Sequence, residues 1–222
     1  MGQIMSSLFI TGNGFDIAHG IPTKYSEFRS FVLQKFPDAL KFRDDVVYLE
    51  DFENIGQDEF AAEILLNAMD KAAGKNWCNF EEALAYINFD NKFPLPNHKE
   101  NETDEEDQIL MKQYLLYMDM LTSVFIGCSK IWQDFFRLWL KEIQYVIDQG
   151  SYQPKDDLLK LFSDSEMQFF SFNYTKTLQK LYGVKKVTHI HNRVGQKLIF
   201  GHGKSDEVGL YKSTGADGGP II

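Results

Sequence analysis

Residues 8–19 read LFITGNGFDIAH, and this stretch decides the fold. Ser6–Thr11 is a short apolar run that a Gly-Asn-Gly sequence ends, a pattern typical of a buried strand that meets a tight turn. A helix is expected after the turn. Because a strand that passes through a glycine turn into a helix is the unit of nucleotide-binding α/β sheets, the stretch predicts an α/β protein.

Further strands and helices are predicted from periodicity. The strands are Met167–Phe172, Val187–His191 and Leu198–Phe200. The helices are Tyr25–Phe36, Trp77–Ile87, Gln108–Val124, Cys128–Ile147, Lys155–Phe162 and Lys176–Tyr182. Spaced apolar residues in Phe42–Ala73 also indicate amphipathic helices, and the charge, proline and asparagine of Asp90–Asp107 indicate a loop. We therefore predict one domain over residues 1–222, with a mostly parallel sheet and a helical layer inserted at about residues 38–150.

Composition and charge argue against several classes of function. The 222 residues are 44% hydrophobic, enough for one domain with a core. A net charge of −9 leaves no general basic surface for nucleic acid. The apolar runs are shorter than the ~20 residues that cross a bilayer, and no export signal is found. Two isolated cysteines, Cys78 and Cys128, fit a reducing compartment, so we expect a cytoplasmic protein without a membrane partner, whose acidic charge disfavours nucleic acid.

The glycine turn suits a phosphate group without matching a standard fingerprint. Glycines at 12, 14 and 20 fit neither the GxGxxG nor the GxxxxGK[ST] spacing. Gly12 and Gly14 permit turn dihedrals and close backbone approach, and the N-terminus of the next helix would face an anion. The alternative is an ordinary turn in which Asp16 caps the helix; beside a ligand, Asp16 would accept a ribose hydroxyl. His19, on the first helical turn, either packs internally or contacts a ligand or the loop backbone.

Polar residues also follow the later strands. Asn173 can hold a water or a sugar hydroxyl in a fixed orientation, or it can cap the helix Lys176–Tyr182. His189 and His191 are spaced so that both rings lie on one face of a strand, which permits a metal site or a general base. A lone pair without a nearby carboxylate indicates metal only weakly, so no metal is expected. Gly201-His202-Gly203 is a further polar cluster after a predicted strand.

Several stretches, in this order, resemble the AbiH family of bacteriophage abortive-infection proteins. They are ITGNGFDIAHGIPTKYSEF, NWCNFEEAL, FSFNYTKTLQKLYG, HIHN and IFGHG. The match spans nearly the whole chain, and its most specific part is GNGFD followed by HG and then T-x-Y-x-x-F. The family is in turn similar to sirtuin-type domains, so the resemblance implies a Rossmann-like sheet that binds NAD.

The resemblance also implies roles for individual residues. Asn173 would hold a water or the ribose beside the glycosidic bond, and His191 would act as the base. The residues expected to bind NAD are Gly12, Asn13, Gly14, Phe15, Asp16, His19, Gly201 and His202. Asn192 stands after His191 where the related motif usually has glycine, a departure that bears on how closely the backbone can approach a ligand. The zinc-binding CxxC pairs of sirtuin deacylases are absent, which disfavours a deacylase relative to an NAD hydrolase.

The leading hypothesis is therefore a phage-defence enzyme that hydrolyses NAD at the nicotinamide–ribose bond and depletes the infected cell of NAD. Two alternatives stay open. One is a nucleotide-sensing module that binds without turnover. The other is a metal-dependent hydrolase or nuclease that uses His189, His191 and His202. The aromatic-rich helices Gln108–Val124 and Cys128–Ile147 offer a surface for pairing with a second subunit.

Overall fold

The sheet is small, open and parallel. A computed structural model describes residues 7–39, 56–84, 104–163 and 167–199, and the structural statements below refer to these ranges. The strands are β1 (Leu8–Thr11), β2 (Gln168–Ser171) and β3 (Thr188–His189), in the order β1-β2-β3. Thr11 lies opposite Ser171, which in turn pairs with His189. The parallel pairing brings the carboxyl ends of the strands to the same edge of the sheet.

Three of the four predicted strands are confirmed, and the fourth is wrong in its described part. Leu198 and Ile199 form no strand. Leu198 is buried in the core, and the Ile199 N–H donates to the His191 carbonyl oxygen at 3.0 Å, so the chain folds back instead of extending. Phe200 lies outside the described residues. The protein is thus a helix-rich α/β structure, while a Rossmann-like or sirtuin-like arrangement stays a prediction.

Seven helices accompany the sheet in the described ranges. They are α1 (Asn13–Ala18), α2 (Tyr25–Lys35), α3 (Gln57–Ala73), α4 (Phe80–Leu84), α5 (Asp104–Asp148), α6 (Asp156–Phe162) and α7 (Thr177–Tyr182). Among these described helices, none combines the length and the apolar character that a membrane crossing requires. α4 begins three residues later than predicted, because Trp77 adopts a left-handed backbone conformation (φ 48°) that an α-helix does not contain.

The longest helix corrects the prediction of two separate helices. α5 is continuous over 45 residues, although a break was expected between Val124 and Cys128. Gly127 lies inside it. One interior glycine costs about 1 kcal/mol, which is less than the roughly 1.5–3 kcal/mol gained by burying one large side chain such as Phe136. Residues 104–107, predicted as the end of the loop Asp90–Asp107, belong to the same helix; the rest of that loop lies outside the described residues.

The core lies between α2, α3 and α5 and is rich in aromatic side chains. Phe28 of α2 and Phe136 of α5 are almost fully buried, and their rings meet edge to face with centroids 5.1 Å apart. Trp77 is fully buried, and its indole N–H donates to the Asp70 carboxylate at 2.8 Å. The Arg29 guanidinium donates two further bonds to the same carboxylate, at 2.7 and 2.6 Å. These contacts fix α3 and the turn before α4 against α2.

The chain between α2 and β2 is largely helical where it is described, through α3, α4, α5 and α6. Residues 40–55 and 85–103 of this segment lie outside the described residues, as do Gly201 and His202. One domain over residues 1–222 with an insertion at about 38–150 therefore stays a prediction.

Candidate functional site

A small cavity lies at the carboxyl ends of β1 and β2, the position at which open α/β sheets bind ligands. Its polar wall is formed by Asn13, Asp16, Thr23, Tyr25, Asn173, Tyr174 and Thr175. Its apolar wall is formed by Phe136, Trp139 and Leu140 of α5 together with Phe172. The cavity volume is about 30 Å³, room for roughly two water molecules. Phe172 is 48% exposed, so this side chain lies at the mouth. The structure thus brings together three of the predicted site residues, Asn13, Asp16 and Asn173.

The glycine turn has ordinary backbone angles, so the expectation that its glycines supply special dihedrals is wrong. Gly12 is extended (φ −137°, ψ −169°) and precedes α1, and Gly14 is the second residue of that helix. Neither glycine has a positive φ. A Cβ atom at either position would meet no atom of the described chain within 4 Å. Conformation and packing therefore do not require these glycines, and their missing side chains leave open space in front of the turn.

Asp16 does not cap α1, so that interpretation is wrong. It is the fourth residue of the helix, which has no side-chain cap bond. The side chain is 1% exposed, and its Oδ2 accepts a hydrogen bond from Thr175 Oγ1 at 2.5 Å. Burial raises the pKa of Asp16, and the nearby side chains of Thr175, Thr177 and Asn173 oppose that shift. A carboxyl that ionises less readily than usual is a candidate for proton transfer.

Two buried oxygen atoms of the cavity residues have no hydrogen-bond partner within the described part of the chain. They are Asp16 Oδ1 and Thr23 Oγ1. Leaving a buried polar atom without a partner costs roughly 1–3 kcal/mol. An ionised carboxylate oxygen can only accept a bond, whereas a threonine hydroxyl can donate or accept. The two atoms together therefore suit a ligand that carries hydroxyl groups.

Asn173 does not cap α7, so the capping interpretation is wrong here as well. The N-cap residue of α7 is Lys176, and no side-chain bond caps that helix. The Asn173 N–H donates to Ser171 Oγ at 3.1 Å, and its carbonyl oxygen accepts from His189 Nδ1 at 2.9 Å. The main chain is thus held from both sides. The fixed main chain holds the buried Asn173 side chain in the wall of the cavity that Asp16 also lines.

His189 uses both ring nitrogens within the protein. Its Nδ1–H donates to the Asn173 carbonyl oxygen, and its Nε2 accepts from the Gln179 amide at 2.8 Å. Burial lowers the pKa of His189, which favours the neutral ring that these two bonds require. Within the described ranges, no group of three or more His, Cys, Asp or Glu side chains could hold a metal ion. His202, the third member of the metal-site hypothesis, lies outside those ranges.

His191 lies beside the cavity and not in its wall. Its ring centroid is 5.6 Å from that of Tyr174 and 5.9 Å from that of Phe172, and both of these rings line the cavity. The residue expected to act as the base is therefore placed at the mouth, next to Phe172.

His19 and Phe15 are not among the cavity-lining residues. His19 Nδ1 donates to the Phe15 carbonyl oxygen at 2.7 Å, and its Nε2 accepts from the Tyr182 hydroxyl at 2.5 Å. That hydroxyl also accepts from the Lys155 N–H at 3.0 Å. The Phe15 ring packs against His19 and Tyr182, with centroids 4.7 and 5.9 Å away. These contacts fasten α1 to α7, and a ligand contact by either residue stays a prediction.

Asn192 adopts the left-handed backbone conformation that glycine favours, with φ 61°. Among residues with a side chain, asparagine tolerates this conformation best. Its side-chain amide donates to the Lys197 carbonyl oxygen at 2.7 Å, which closes the loop after β3. The replacement of glycine by asparagine at this position is therefore compatible with the same backbone path.

Sequence reasoning assigned no role to Glu81, which organises one side of the cavity. One of its carboxylate oxygens accepts from the Tyr25 hydroxyl at 2.6 Å and from the Tyr174 hydroxyl at 3.2 Å. Burial raises the pKa of both tyrosines, and the Glu81 charge raises it further. The signal was present in the sequence, because Tyr25 belongs to the T-x-Y-x-x-F motif and Glu81 to NWCNFEEAL.

The fold and the cavity define the class: a helix-rich α/β protein with a buried polar cavity at the carboxyl ends of a parallel sheet. The model of the family described as "Bacteriophage abortive infection AbiH" matches residues 8–217, so the chain belongs to the AbiH family. No curated protein and no solved structure gives a significant match. The matched range includes every residue that lines the cavity.

Proposed function

We propose that the chain hydrolyses NAD at the bond between nicotinamide and ribose, as part of abortive infection, on a sheet of Rossmann-like type. One observation carries the proposal. Asn13, Asp16 and Asn173, which are far apart in sequence, line one cavity at the carboxyl ends of two adjacent parallel strands. Membership of the AbiH family supplies the link to abortive infection.

The chemistry of the cavity fits a ribose. Asp16 Oδ1 and Thr23 Oγ1 are free within the described chain to bind hydroxyl groups, and the Asn173 amide can donate and accept. A volume of about 30 Å³ is smaller than the substrate, so binding requires the mouth to open, and rotation of the half-exposed Phe172 would widen it. The open space at the glycine turn takes the part of the ligand that continues beyond the ribose.

In the proposed reaction the bond between nicotinamide and the ribose C1 atom breaks, and nicotinamide leaves with the bonding electrons. A water molecule adds to C1 and loses a proton. The Asn173 amide orients this water, and the Asp16 carboxylate stabilises the oxocarbenium-like ribose. The raised pKa of Asp16 suits it to accept the proton. His191 is the second candidate base and would act from the mouth.

The experiment measures nicotinamide release from NAD by chromatography. We expect Asn173→Ala and Asp16→Asn to lower kcat/KM at least about 100-fold, which corresponds to roughly 2.7 kcal/mol of transition-state stabilisation. Asn67→Ala is the matched control, because Asn67 is a buried asparagine of α3 that does not line the cavity. Absence of release by the natural chain, or unchanged release by both cavity variants, would overturn the proposal.

The second candidate function is nucleotide binding without turnover. It is favoured by the position of His191, which lies outside the cavity wall. Calorimetry with NAD, followed by chromatography after prolonged incubation, separates the two functions. Binding without any nicotinamide product supports the binding module and excludes the hydrolase.

A further inference from the structure

A second and larger cavity lies between α5 and the loop that follows β3. We call it the basic cleft, and it is lined by Arg137, Leu140, Lys141, Val194, Gln196 and Leu198, with Gly195 in the same loop. Its volume is about 220 Å³, several times that of the polar cavity. The two cavities share only Leu140, so the basic cleft is a separate place on the molecule.

The lining of the basic cleft is positively charged on one side and apolar on another. Arg137 and Lys141 are four residues apart on α5, so their side chains lie on the same face of the helix. No acidic side chain is among the described residues that line the cleft. Leu140 and Leu198 are buried at the base of the cleft, and the half-buried Val194 supplies accessible apolar surface. In a chain of net charge −9, two cations that converge on one cavity mark a place where an anion binds favourably.

The loop side of the basic cleft is held by hydrogen bonds and by packing. The Val194 N–H donates to the Tyr174 carbonyl oxygen at 2.8 Å, and the Asn192 side chain closes the loop on Lys197. Gly195 takes a positive φ of 91°, which glycine allows without strain. Leu198 is buried in the core. The cleft is therefore a built feature of the fold.

Arg137 already has an acidic neighbour, and this neighbour does not prevent ligand binding. Its guanidinium pairs with Asp134, three residues earlier on α5. Both side chains are exposed, at 38% and 66%, and ion pairs of this kind contribute little net stability. A phosphate group, which accepts two parallel bonds from a guanidinium, competes well with such a pair.

We infer that the basic cleft is a second binding site, for a small phosphorylated molecule of the nucleoside phosphate class. The phosphates bind to Arg137 and Lys141, and the nucleoside packs on the half-buried Val194 and on the exposed Gly195 and Gln196 of the loop. The inference is independent of NAD hydrolysis, because the cleft shares neither Asp16 nor Asn173 with the polar cavity.

Calorimetry with ADP, pyrophosphate and adenosine tests the inference. We expect ADP to bind more tightly than pyrophosphate or adenosine, since only ADP offers both the anion and the apolar part. The double variant Arg137→Gln/Lys141→Gln is expected to weaken ADP binding at least tenfold. Lys112→Gln/Lys130→Gln is the matched control, because both lysines are exposed on α5 and neither lines the cleft.

The outcomes separate the cleft from the polar cavity. Loss of ADP binding in the cleft variant and its persistence in Asn173→Ala supports the inference. Absence of ADP binding by the natural chain overturns it, and so does ADP binding that the cleft variant leaves unchanged. Nicotinamide release from NAD, measured on the same proteins, tests the proposed function separately. ADP binding without nicotinamide release would exclude NAD hydrolysis and still support a binding site in the basic cleft.

Discussion

Replacing Gly14 with alanine separates a structural role of the glycine turn from a ligand-binding role. Gly14 is exposed, its φ is not positive, and a Cβ atom there would meet nothing in the described chain within 4 Å. In a helix interior, alanine stabilises the helix by about 1 kcal/mol relative to glycine. This stabilisation is smaller at the second position of a helix. We therefore expect Gly14→Ala to raise the free energy of unfolding by about 0.5 kcal/mol, or the melting temperature by roughly 1–2 °C.

The same methyl group enters the space that the proposed ligand uses. We expect kcat/KM for nicotinamide release to fall at least about tenfold, equivalent to roughly 1.4 kcal/mol. Gly127→Ala is the control, because Gly127 lies inside α5 with open space around its missing Cβ, far along the chain from the cavity-lining turn. It should stabilise the protein by about 1 kcal/mol and leave release unchanged. A Gly14→Ala protein that is more stable and fully active would refute the idea that the turn contacts the ligand.

Substitutions at four positions test the contacts described above. Burial raises the pKa of Asp16, so this carboxyl keeps its proton to higher pH in the folded state than in the unfolded state. The contribution of Asp16 to the free energy of unfolding therefore declines as the pH rises above its unfolded-state pKa of about 3.9. Asp16→Asn should therefore gain stability relative to the natural chain as the pH rises above about 4 in urea titrations; a constant difference would contradict this. Tyr182→Phe removes the hydrogen bonds to His19 and Lys155 and should lower the free energy of unfolding by about 1–2 kcal/mol. Nicotinamide release per folded molecule should stay unchanged; loss of release would indicate that His19 takes part in the reaction. Glu81→Gln weakens both tyrosine bonds and should cost about 1–2 kcal/mol in thermal unfolding, whereas an unchanged melting temperature would show that these bonds contribute nothing. Asn192→Val should cost at least about 1–2 kcal/mol because its φ is positive, and Asn192→Gly should cost less; the reverse order would exclude backbone strain as the cause.

Local patterns were sufficient to predict the three strands that form the sheet of the described residues. The strand before the glycine turn, the helix after it and the aromatic strand before Asn173 are each determined by neighbouring residues. The rule that ligands bind at the carboxyl ends of parallel strands then placed Asn13, Asp16 and Asn173 together. These three side chains line one cavity, and their roles as site residues stay predictions.

The roles of single side chains depend on partners that are distant in sequence, and sequence reasoning could not supply them. The local sequence makes both Asp16 and Asn173 candidates for helix caps, because it shows only hydrogen-bond partners that are close along the chain. The partner of Asp16 is Thr175, 159 residues away, and Glu81 is 56 and 93 residues from its two tyrosines. The predicted break between Val124 and Cys128 is likewise wrong, because α5 is continuous there and packs against the rest of the core.

The two halves of the cavity come from different parts of the chain. The polar half follows strands β1 and β2, where the carboxyl would be solvated if nothing covered it. Phe136, Trp139 and Leu140 of α5 form the apolar half. Burial is the largest cause of the raised pKa of Asp16, and this carboxyl shares its cavity with the α5 wall. Movement of α5 away from the cavity would let water reach this carboxyl and lower its pKa, so the helix affects Asp16 without contributing a polar side chain to the cavity.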